Sequence, residues 1–377
     1  MRPQGKSVLI STWQFPPANS GSAIILYELL QHLPQDAFIA VHGPRVPGTA
    51  DGPALDIPGS AVSVLGSYLW TVRFMNRLPR LYTALIKRHI VRLARQHHVK
   101  RIYAHYPSDC FAIAAWQAAE QLDLPLTVYM DILWEEGALD PALARNYEHR
   151  VLERADRRFA ITESAAAHLE QKHGLKFELV PHVIDSSNLP TGLVPVPGHP
   201  RPVVHFSGSI YDDMNLDSMV RLGEAAARAR TRPLIDVCSN HLPVELHAFE
   251  IGGRHLTRSE VMAAQSQSTV LFLPQAFNSS RGVMIRHNLP TKTMDYLRSG
   301  RPILVHSPAD SHLSNLARRE GFALVVDRPD ADELAAALDR LIADTKLQED
   351  LVSRALDFVR SRDSKLWSVR LWEALNA

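Results

Sequence analysis

The sequence predicts an α/β protein built from two doubly wound, Rossmann-like domains. Three observations lead to this prediction. The chain has 377 residues, which exceeds the length at which a single hydrophobic core keeps growing. Short apolar runs alternate with amphipathic helical patterns, as in parallel sheets wound with helices. This alternation stops once, at the proline-rich segment 186–202, and then begins again.

The composition is that of a folded, water-soluble protein. Hydrophobic residues make up 46% and charged residues 21%, and the formal net charge is +1. Cys110 and Cys238 are too few for a disulfide framework or a four-cysteine metal site, which favours a reducing compartment. No signal-peptide pattern and no run of about eighteen apolar residues occurs. We therefore expect a cytoplasmic protein.

The first domain is predicted to span residues 1–188. Its strand candidates are 7–12, 38–42, 62–65, 101–105, 126–131, 158–162 and 177–183. The clearest helix is 23–33, whose apolar side chains recur on one face.

A linker at 189–202 leads into the second predicted domain, 203–360. Its strand candidates are 203–208, 234–239, 270–274, 303–306 and 322–327, with helices at 215–230, 291–299 and 332–343. A final helix is predicted within 351–375, and the C-terminal segment 361–377 is expected to cross back to the first domain.

One candidate site follows the first strand. Asn19, Ser20, Gly21 and Ser22 stand between that strand and the first helix. Small residues let the backbone approach a ligand, and the free amides of a helix's first turn attract anions. Alternatively, Asn19 and Ser20 only cap the helix.

A second candidate site lies at the start of the helix predicted at 291–299. Lys292 places a cation at the positive end of the helix dipole, which is unfavourable unless an anion such as a diphosphate completes the site. Asp295, one turn later, is placed to accept hydrogen bonds from ribose hydroxyls. The alternative is a solvated lysine and a surface aspartate.

Six segments in order resemble family-4 glycosyltransferases of the GT-B type. They are FPPANSGSAIILYELLQHL, RIYAHYPSDCFAIAAWQAA, ADRRFAITESAAAHL, ELVPHVID, VVHFSGSIYDDMNLDSMVRLGEAA and LPTKTMDYLRSGRPILV. The resemblance covers most of the chain. It implies two Rossmann-like domains that face a central cleft.

The resemblance implies roles for residues in both domains. Residues 20–22 would approach the donor phosphates or the acceptor. Gly208 and Ser209 would line the phosphate side of the donor domain. Asp131 falls where many members carry a histidine or an aspartate that faces the transferred sugar.

Further implied roles concern the helix that begins near residue 291. Lys292 would contact the pyrophosphate, and Thr291 and Thr293 would lend hydroxyls or amides. Asp295 would hold the ribose at the second position of the family's acidic pair. The first position of that pair is His287 in this chain, which departs from the family pattern.

A second departure concerns charge. The arginine and lysine that often follow the donor-domain glycine are replaced by Ser209 and by Met214 or Asn215. Compensation for the leaving diphosphate would then come from Lys292 together with Arg281 or Arg286, since arginine binds phosphate through paired hydrogen bonds.

The other titratable residues give weaker signals. The eighteen histidines form no spacing typical of a metal site, so no metal ligand is predicted. His105 ends a strand at the edge expected for a site, but a buried structural histidine explains it equally well.

The segment between Asp56 and Asp109 contains no acidic residue but nine cations. They are Arg73, Arg77, Arg80, Lys87, Arg88, Arg92, Arg95, Lys100 and Arg101. Mixed with apolar residues over 72–101, they are typical of an interfacial helix attracted to anionic lipids. An ordinary amphipathic helix with a solvated basic face is the alternative. Nucleic acid is not expected, because aromatic stacking positions are missing.

Together these features predict an enzyme that moves a sugar from a nucleotide-diphosphate sugar to a hydroxyl of a glycan, a lipid-linked or a small-molecule acceptor. The resemblance implies retention of configuration and no metal or other cofactor. Membrane contact would place the protein at the inner face of the membrane. Two alternatives stay open: a GT-B-fold nucleotide-sugar epimerase or hydrolase, and a catalytically silent nucleotide-sugar-binding protein.

Overall fold

A computed structural model describes residues 7–34, 37–44, 61–63, 68–106, 108–138, 141–196, 198, 200–254 and 256–377. The chain divides into two compact units. Unit 1 comprises Met1–Val183 and Ser364–Ala377, and unit 2 comprises Ile184–Asp363. The last helix of the chain therefore belongs to unit 1.

Unit 1 contains a seven-stranded parallel sheet within the described residues. Its strands are β1 (Val8–Thr12), β2 (Phe38–His42), β3 (Ala61–Ser63), β4 (Arg101–Tyr106), β5 (Leu126–Met130), β6 (Arg157–Ala160) and β7 (Glu178–Leu179). The spatial order is β3-β2-β1-β4-β5-β6-β7, so the strand order reverses between β1 and β4. In doubly wound sheets, ligands bind at the carboxyl ends of the strands beside such a reversal.

The helices of unit 1 cover this sheet. They are α1 (Gly21–Leu30), α2 (Tyr68–Arg77), α3 (Pro79–His97), α4 (Asp109–Leu122), α5 (Trp134–Gly137), α6 (Pro141–Arg154), α7 (Glu163–His173) and, at the end of the chain, α15 (Ser364–Asn376). Leu26 and Leu29 of α1 share a buried cluster with Leu371 and Leu375 of α15. This apolar contact attaches the end of the chain to unit 1.

Unit 2 contains a six-stranded parallel sheet. Its strands are β8 (Val203–Ser207), β9 (Leu234–Cys238), β10 (Ile251–Arg254), β11 (Val270–Pro274), β12 (Ile303–His306) and β13 (Leu324–Val326). The order β10-β9-β8-β11-β12-β13 reverses between β8 and β11. Strand β10 has no counterpart among the predicted strands, because Gly252 and Gly253 interrupt any β-type pattern.

The helices of unit 2 flank its sheet. They are α8 (Asp217–Arg228), α9 (Arg258–Gln267), α10 (Gly282–His287), α11 (Lys292–Leu297), α12 (His312–Glu320), α13 (Ala331–Ala343) and α14 (Thr345–Ser361). A π-helical turn, Asp212–Leu216, precedes α8. Asp330 caps α13, since its side chain accepts hydrogen bonds from the amides of Asp332 and Glu333.

Two predicted elements were wrong in their extent. The strand predicted at 177–183 is confined to Glu178–Leu179, because Pro181 has no amide to donate to a neighbouring strand. The helix predicted over 351–375 is two helices, α14 and α15, separated at Arg362 and Asp363. The carboxylate of Asp363 accepts a hydrogen bond from the amide of Ser186 at 3.3 Å, which holds the chain at this break.

Residues 64 and 65 of the strand predicted at 62–65 lie outside the described residues. No described helix is long and apolar enough to cross a membrane.

Candidate functional site

The best-formed candidate site in unit 2 lies where β8 ends. Gly208 follows β8 with φ +121°, a backbone conformation that other residues rarely adopt. Its amide donates to the carbonyl of Cys238 at 2.8 Å. A Cβ added at Gly208 would lie 2.9 Å from Nζ of Lys292. The absence of a side chain at Gly208 therefore lets the ammonium group of α11 lie against this loop.

Lys292 is the cation of this site. Its Nζ lies 3.9 Å from the centroid of the Phe206 ring. The residue keeps some solvent exposure, yet removal of its ammonium group from water lowers the pKa of Lys292 from 10.5 to about 7. None of the ion pairs among the described residues includes it. A phosphate would supply the missing counter-charge.

Side chains from distant parts of unit 2 hold this loop in place. The hydroxyl of Tyr296 accepts from the amide of Ser207 at 2.8 Å, and Gln265 donates to Oγ of Ser207 at 3.0 Å. Nδ2 of buried Asn215 donates to the carbonyl of Ser209 at 3.2 Å. Sequence reasoning missed Tyr296, Gln265 and Asn215, since their partners lie in other elements.

Asp295 lies one turn after Lys292 in α11 and has a charged partner. Nη2 of Arg258 lies 3.2 Å from Oδ1 of Asp295, and both side chains are largely buried, at 22% and 19% exposure. Arg258 is the first residue of α9, and no pattern around it predicted this contact. The arginine restrains the carboxylate that the resemblance assigns to the ribose.

The two predicted loop arginines are already paired. Nε of Arg281 lies 2.8 Å from the carboxylate of Asp213, and Nε of Arg286 lies 3.6 Å from that of Asp310. About half of each arginine side chain is exposed. Exposed pairs of this kind contribute little free energy, so the carboxylates hold neither guanidinium strongly.

The remaining predicted donor-site residues lie around the start of α11. Thr291 is the N-cap, and its side chain makes no capping hydrogen bond. The amide of Thr293 donates to Pro290 at 2.9 Å, while its hydroxyl is buried without a hydrogen-bond partner among the described residues. His287 is the last residue of α10 and is half-buried.

In unit 1, the predicted loop after β1 forms the start of α1. The side chain of Ser20 accepts from the amide of Ala23 at 3.4 Å, so the capping interpretation is correct for this residue. The amides of Gly21 and Ser22 belong to the first turn, where a helix offers no internal acceptors. Both residues are partly exposed. The cap and an anion site are compatible, because Ser20 satisfies the amide of Ala23 only.

Asp131 and His105 meet at the carboxyl ends of β5 and β4. Nε2 of His105 lies 3.3 Å from Oδ2 of Asp131, and the side chains are 0% and 2% exposed. The other oxygen, Oδ1 of Asp131, is buried without a hydrogen-bond partner among the described residues. An unpaired buried carboxylate oxygen is costly in free energy, so this position is suited to a hydroxyl that a ligand would bring.

His182 follows β7 and is also buried. Neither of its ring nitrogens has a hydrogen-bond partner within the described part of the chain. Burial lowers the pKa of His182 from 6.5 to about 4, so the ring is neutral at pH 7.

One group in unit 2 has the chemistry of metal ligands. Ligand atoms of His205, Asp236 and Cys238 lie within 4.8 Å of one another. However, the guanidinium of Arg254 donates to both carboxylate oxygens of Asp236, at 2.9 and 2.7 Å. Burial opposes ionisation of Asp236, but hydrogen bonds from His205 and Arg254 outweigh it and lower its pKa. The carboxylate is thus already neutralised, and we assign no metal to this group.

Part of the chain matches a known protein family. Residues 19–188, somewhat less than half of the chain, match the model of Glycosyltransferase Family 4. A sequence search of curated proteins finds no significant match.

Three solved structures illustrate the similarity. Sucrose-phosphate synthase from Thermosynechococcus elongatus has a TM-score of 0.71 at 14% identity, over 98% of both chains. HepE of Anabaena, solved with UDP and glucose, has a TM-score of 0.71 at 12% identity, over 98% of this chain and 99% of HepE. The UDP-forming α,α-trehalose-phosphate synthase from Burkholderia vietnamiensis has a TM-score of 0.65 at 14% identity, over 99% of this chain and 98% of that one. The chain therefore has the fold of GT-B glycosyltransferases, and its residues 19–188 are similar to Glycosyltransferase Family 4.

Proposed function

We propose that this protein transfers a sugar from a nucleoside-diphosphate sugar to a hydroxyl acceptor. The observation that carries the proposal is the Lys292 ammonium group, which lies beside Gly208 at the strand-order reversal of unit 2 without a carboxylate partner among the described residues. A diphosphate matches this site in charge and position. The UDP complex of HepE and the UDP-forming synthase support the choice of donor.

Unit 2 would hold the donor. Lys292 would contact the diphosphate, with the exposed backbone of Gly208 and Ser209 alongside it. Thr291 and Thr293 would add hydroxyls, and Arg281 or Arg286 would supply a second cation. Asp295 would bind the ribose hydroxyls, and His287 would stand where the family pattern has an acidic residue.

Unit 1 would contribute the acceptor side. Residues 20–22 would offer first-turn amides to an anionic part of the donor or the acceptor. Asp131 would accept a hydrogen bond from a sugar hydroxyl through Oδ1, while His105 fixes its other oxygen.

The transfer breaks the bond between the anomeric carbon and the diphosphate oxygen. The acceptor oxygen forms the new bond to that carbon, and its proton passes to the departing diphosphate. Positive charge from Lys292 and a loop arginine would stabilise the departing diphosphate. We propose that this requires no metal and that the configuration at the anomeric carbon is retained.

The acceptor belongs to the same proposal. It is a glycan, a lipid-linked or a small-molecule hydroxyl, and the protein works in the cytoplasm. The basic segment 72–101 would bring the enzyme to the inner face of the membrane when the acceptor is lipid-linked.

The direct test incubates the protein with UDP- and GDP-sugars, with and without a panel of glycan and lipid-linked acceptors. Nucleoside diphosphate and glycosylated product are measured together. Transfer predicts equal amounts of both, and both require the acceptor. Isomerised sugar without acceptor would indicate an epimerase, free sugar a hydrolase, and binding without turnover a silent binding protein. Each of these outcomes would overturn the proposal.

Two further measurements and three variants test the finer points. Excess EDTA should leave the rate unchanged, and NMR of the product should show the anomeric configuration of the donor. Asp131→Asn should lower turnover by about 100-fold while the affinity for the nucleotide stays the same, since the effect belongs to the acceptor side. Lys292→Ala and Arg286→Ala should each reduce turnover strongly.

A further inference from the structure

The helix pair α2–α3 of unit 1 presents a surface of unpaired positive charge. None of the eight cations from Arg73 to Lys100 forms an ion pair with a described residue. Exposed arginines elsewhere commonly lie beside a carboxylate, as Arg201 does with Glu250 (2.9 Å). Because residues 57–108 contain no acidic residue, these helices cannot neutralise their own charge.

Four of these cations line one groove. Lys87, Arg88, Arg92 and Arg95 of α3, with Gln121 of α4, surround a shallow groove of about 620 Å³. Arg88, Arg92 and Arg95 recur at intervals of four and three residues and so share one helix face, and Lys87 lies four residues before Val91 and eight before Arg95 on the adjoining face. Like charges at this spacing repel one another in an isolated helix. An external anion would offset that repulsion.

The positive charges that line this groove also act on the neighbouring side chain of His89. Burial, together with the positive charges of Arg92 and Arg88, lowers the pKa of His89 below 6.5. The ring is therefore kept neutral beside the groove, so that the excess charge belongs to the lysine and the arginines.

The same helix pair also exposes large apolar side chains. Leu69 of α2 is 66% exposed, Leu78 between the helices is 49% exposed, and Leu81 of α3 is 50% exposed. Arg73, Arg77 and Arg80 stand among these leucines in the sequence. A soluble polyanion such as a nucleic acid would match the cations but leave the leucines in water. A bilayer surface matches both, because cations attract its phosphates and apolar side chains enter the interface.

We propose that the α2–α3 surface docks on an anionic lipid bilayer. The groove formed by Lys87, Arg88, Arg92 and Arg95 binds lipid phosphates, and Leu69, Leu78 and Leu81 enter the boundary between headgroups and acyl chains. This inference goes beyond the transfer reaction and needs only the folded protein. Vesicle binding and sugar transfer are measured separately, so either can fail while the other holds.

The experiment is flotation of the full chain with phosphatidylcholine vesicles that contain either no phosphatidylglycerol or about 30% of it. Wild type should float with the anionic vesicles only, and 0.5 M salt should release it. The triple variant Arg88→Gln, Arg92→Gln, Arg95→Gln should bind about 100-fold more weakly, from roughly one kcal/mol per cation at an anionic surface. Leu78→Ser with Leu81→Ser should also weaken binding, even at low salt.

The matched control removes the same charge from unit 2, where Arg340, Lys346 and Arg354 are exposed helix positions. Their triple glutamine variant should bind vesicles like wild type, which separates a local surface from an effect of net charge. Thermal unfolding confirms that each variant is folded. Equal weakening by both triple variants, or no binding of wild type to anionic vesicles, would overturn the proposal. So would tighter binding to a single-stranded oligonucleotide than to the vesicles.

Discussion

Nζ of Lys292 lies 3.9 Å from the centroid of the Phe206 ring. The aromatic face stabilises a cation that has little access to water, yet it supplies no negative charge. The ammonium group is thus positioned by β8 and α11, and no carboxylate of the described residues compensates its charge. This relationship explains why we place the diphosphate of the donor here.

The first prediction concerns the pH dependence of nucleotide binding. The pKa of Lys292 is lowered to about 7, so in the free protein the ammonium form is lost as the pH rises above 7. A diphosphate binds the charged form, and its affinity should therefore fall roughly tenfold or more between pH 7 and pH 9. Calorimetric titration of UDP or GDP over this range measures it.

Lys292→Met is the control for that titration. Its affinity should be low and nearly independent of pH, because the phosphates are already ionised above pH 7. Parallel pH profiles in the variant and the wild type would show that another group titrates.

Burial of Lys292 should also lower the free energy of unfolding. Its pKa falls from 10.5 unfolded to about 7 folded, so between these pH values the unfolded chain binds more protons and stability rises with pH. Below pH 7, Lys292 lowers the free energy of unfolding by its full amount. Lys292→Met should raise Tm at pH 6.5 by a few degrees, on the order of 2–4 °C per kcal/mol. The gain should shrink at pH 9, and a lower Tm at both values would contradict this account.

Gly208 gives a steric test of the same site. Gly208→Ala adds a Cβ 2.9 Å from Nζ of Lys292 at φ +121°. It should weaken nucleotide binding at least tenfold and cost about 1–3 kcal/mol of stability. Gly192→Ala is the control, since nothing lies within 4 Å of the added atom there. Unchanged nucleotide affinity in Gly208→Ala would remove the loop from the site.

From the ion pair of Arg258 and Asp295 we predict that the protein distinguishes nucleotides by their ribose hydroxyls. A hydrogen bond to a charged carboxylate is worth about 1.5–3 kcal/mol, so wild type should bind a ribonucleoside diphosphate at least tenfold more tightly than its 2′,3′-dideoxy analogue. Asp295→Asn should reduce this ratio strongly, and Arg258→Met should reduce it in part. If both variants weaken the two nucleotides equally, the pair has only a structural role.

The local sequence pattern was sufficient to predict most of the fold. Strands β2, β11 and β12 begin and end where the apolar runs predict them, because a buried parallel strand is a continuous apolar run. Strand β10 was missed because IGGR carries two glycines. The long C-terminal helix was predicted wrongly because its break depends on Asp363 and Ser186, which lie far apart in sequence.

The candidate site also has a part that the local sequence predicts and a part that depends on contacts between distant elements. Lys292 stands out in sequence because a cation at a helix start is locally unfavourable. Its contact with Phe206 and its distance from Gly208 arise only when β8 and α11 pack together. Arg258 and Tyr296 could not be predicted, since each acts on a residue of another element.

The decisive experiment for the diphosphate site at Lys292 is calorimetric titration of UDP and GDP into the wild type, Lys292→Met and Lys346→Met at pH 7. Lys346 is an exposed lysine of α14 and serves as the control for charge. We predict that at least one nucleotide binds the wild type and Lys346→Met with equal affinity. The same nucleotide should bind Lys292→Met about 10–100-fold more weakly. Equal binding to all three proteins, or no binding of either nucleotide to the wild type, would contradict it.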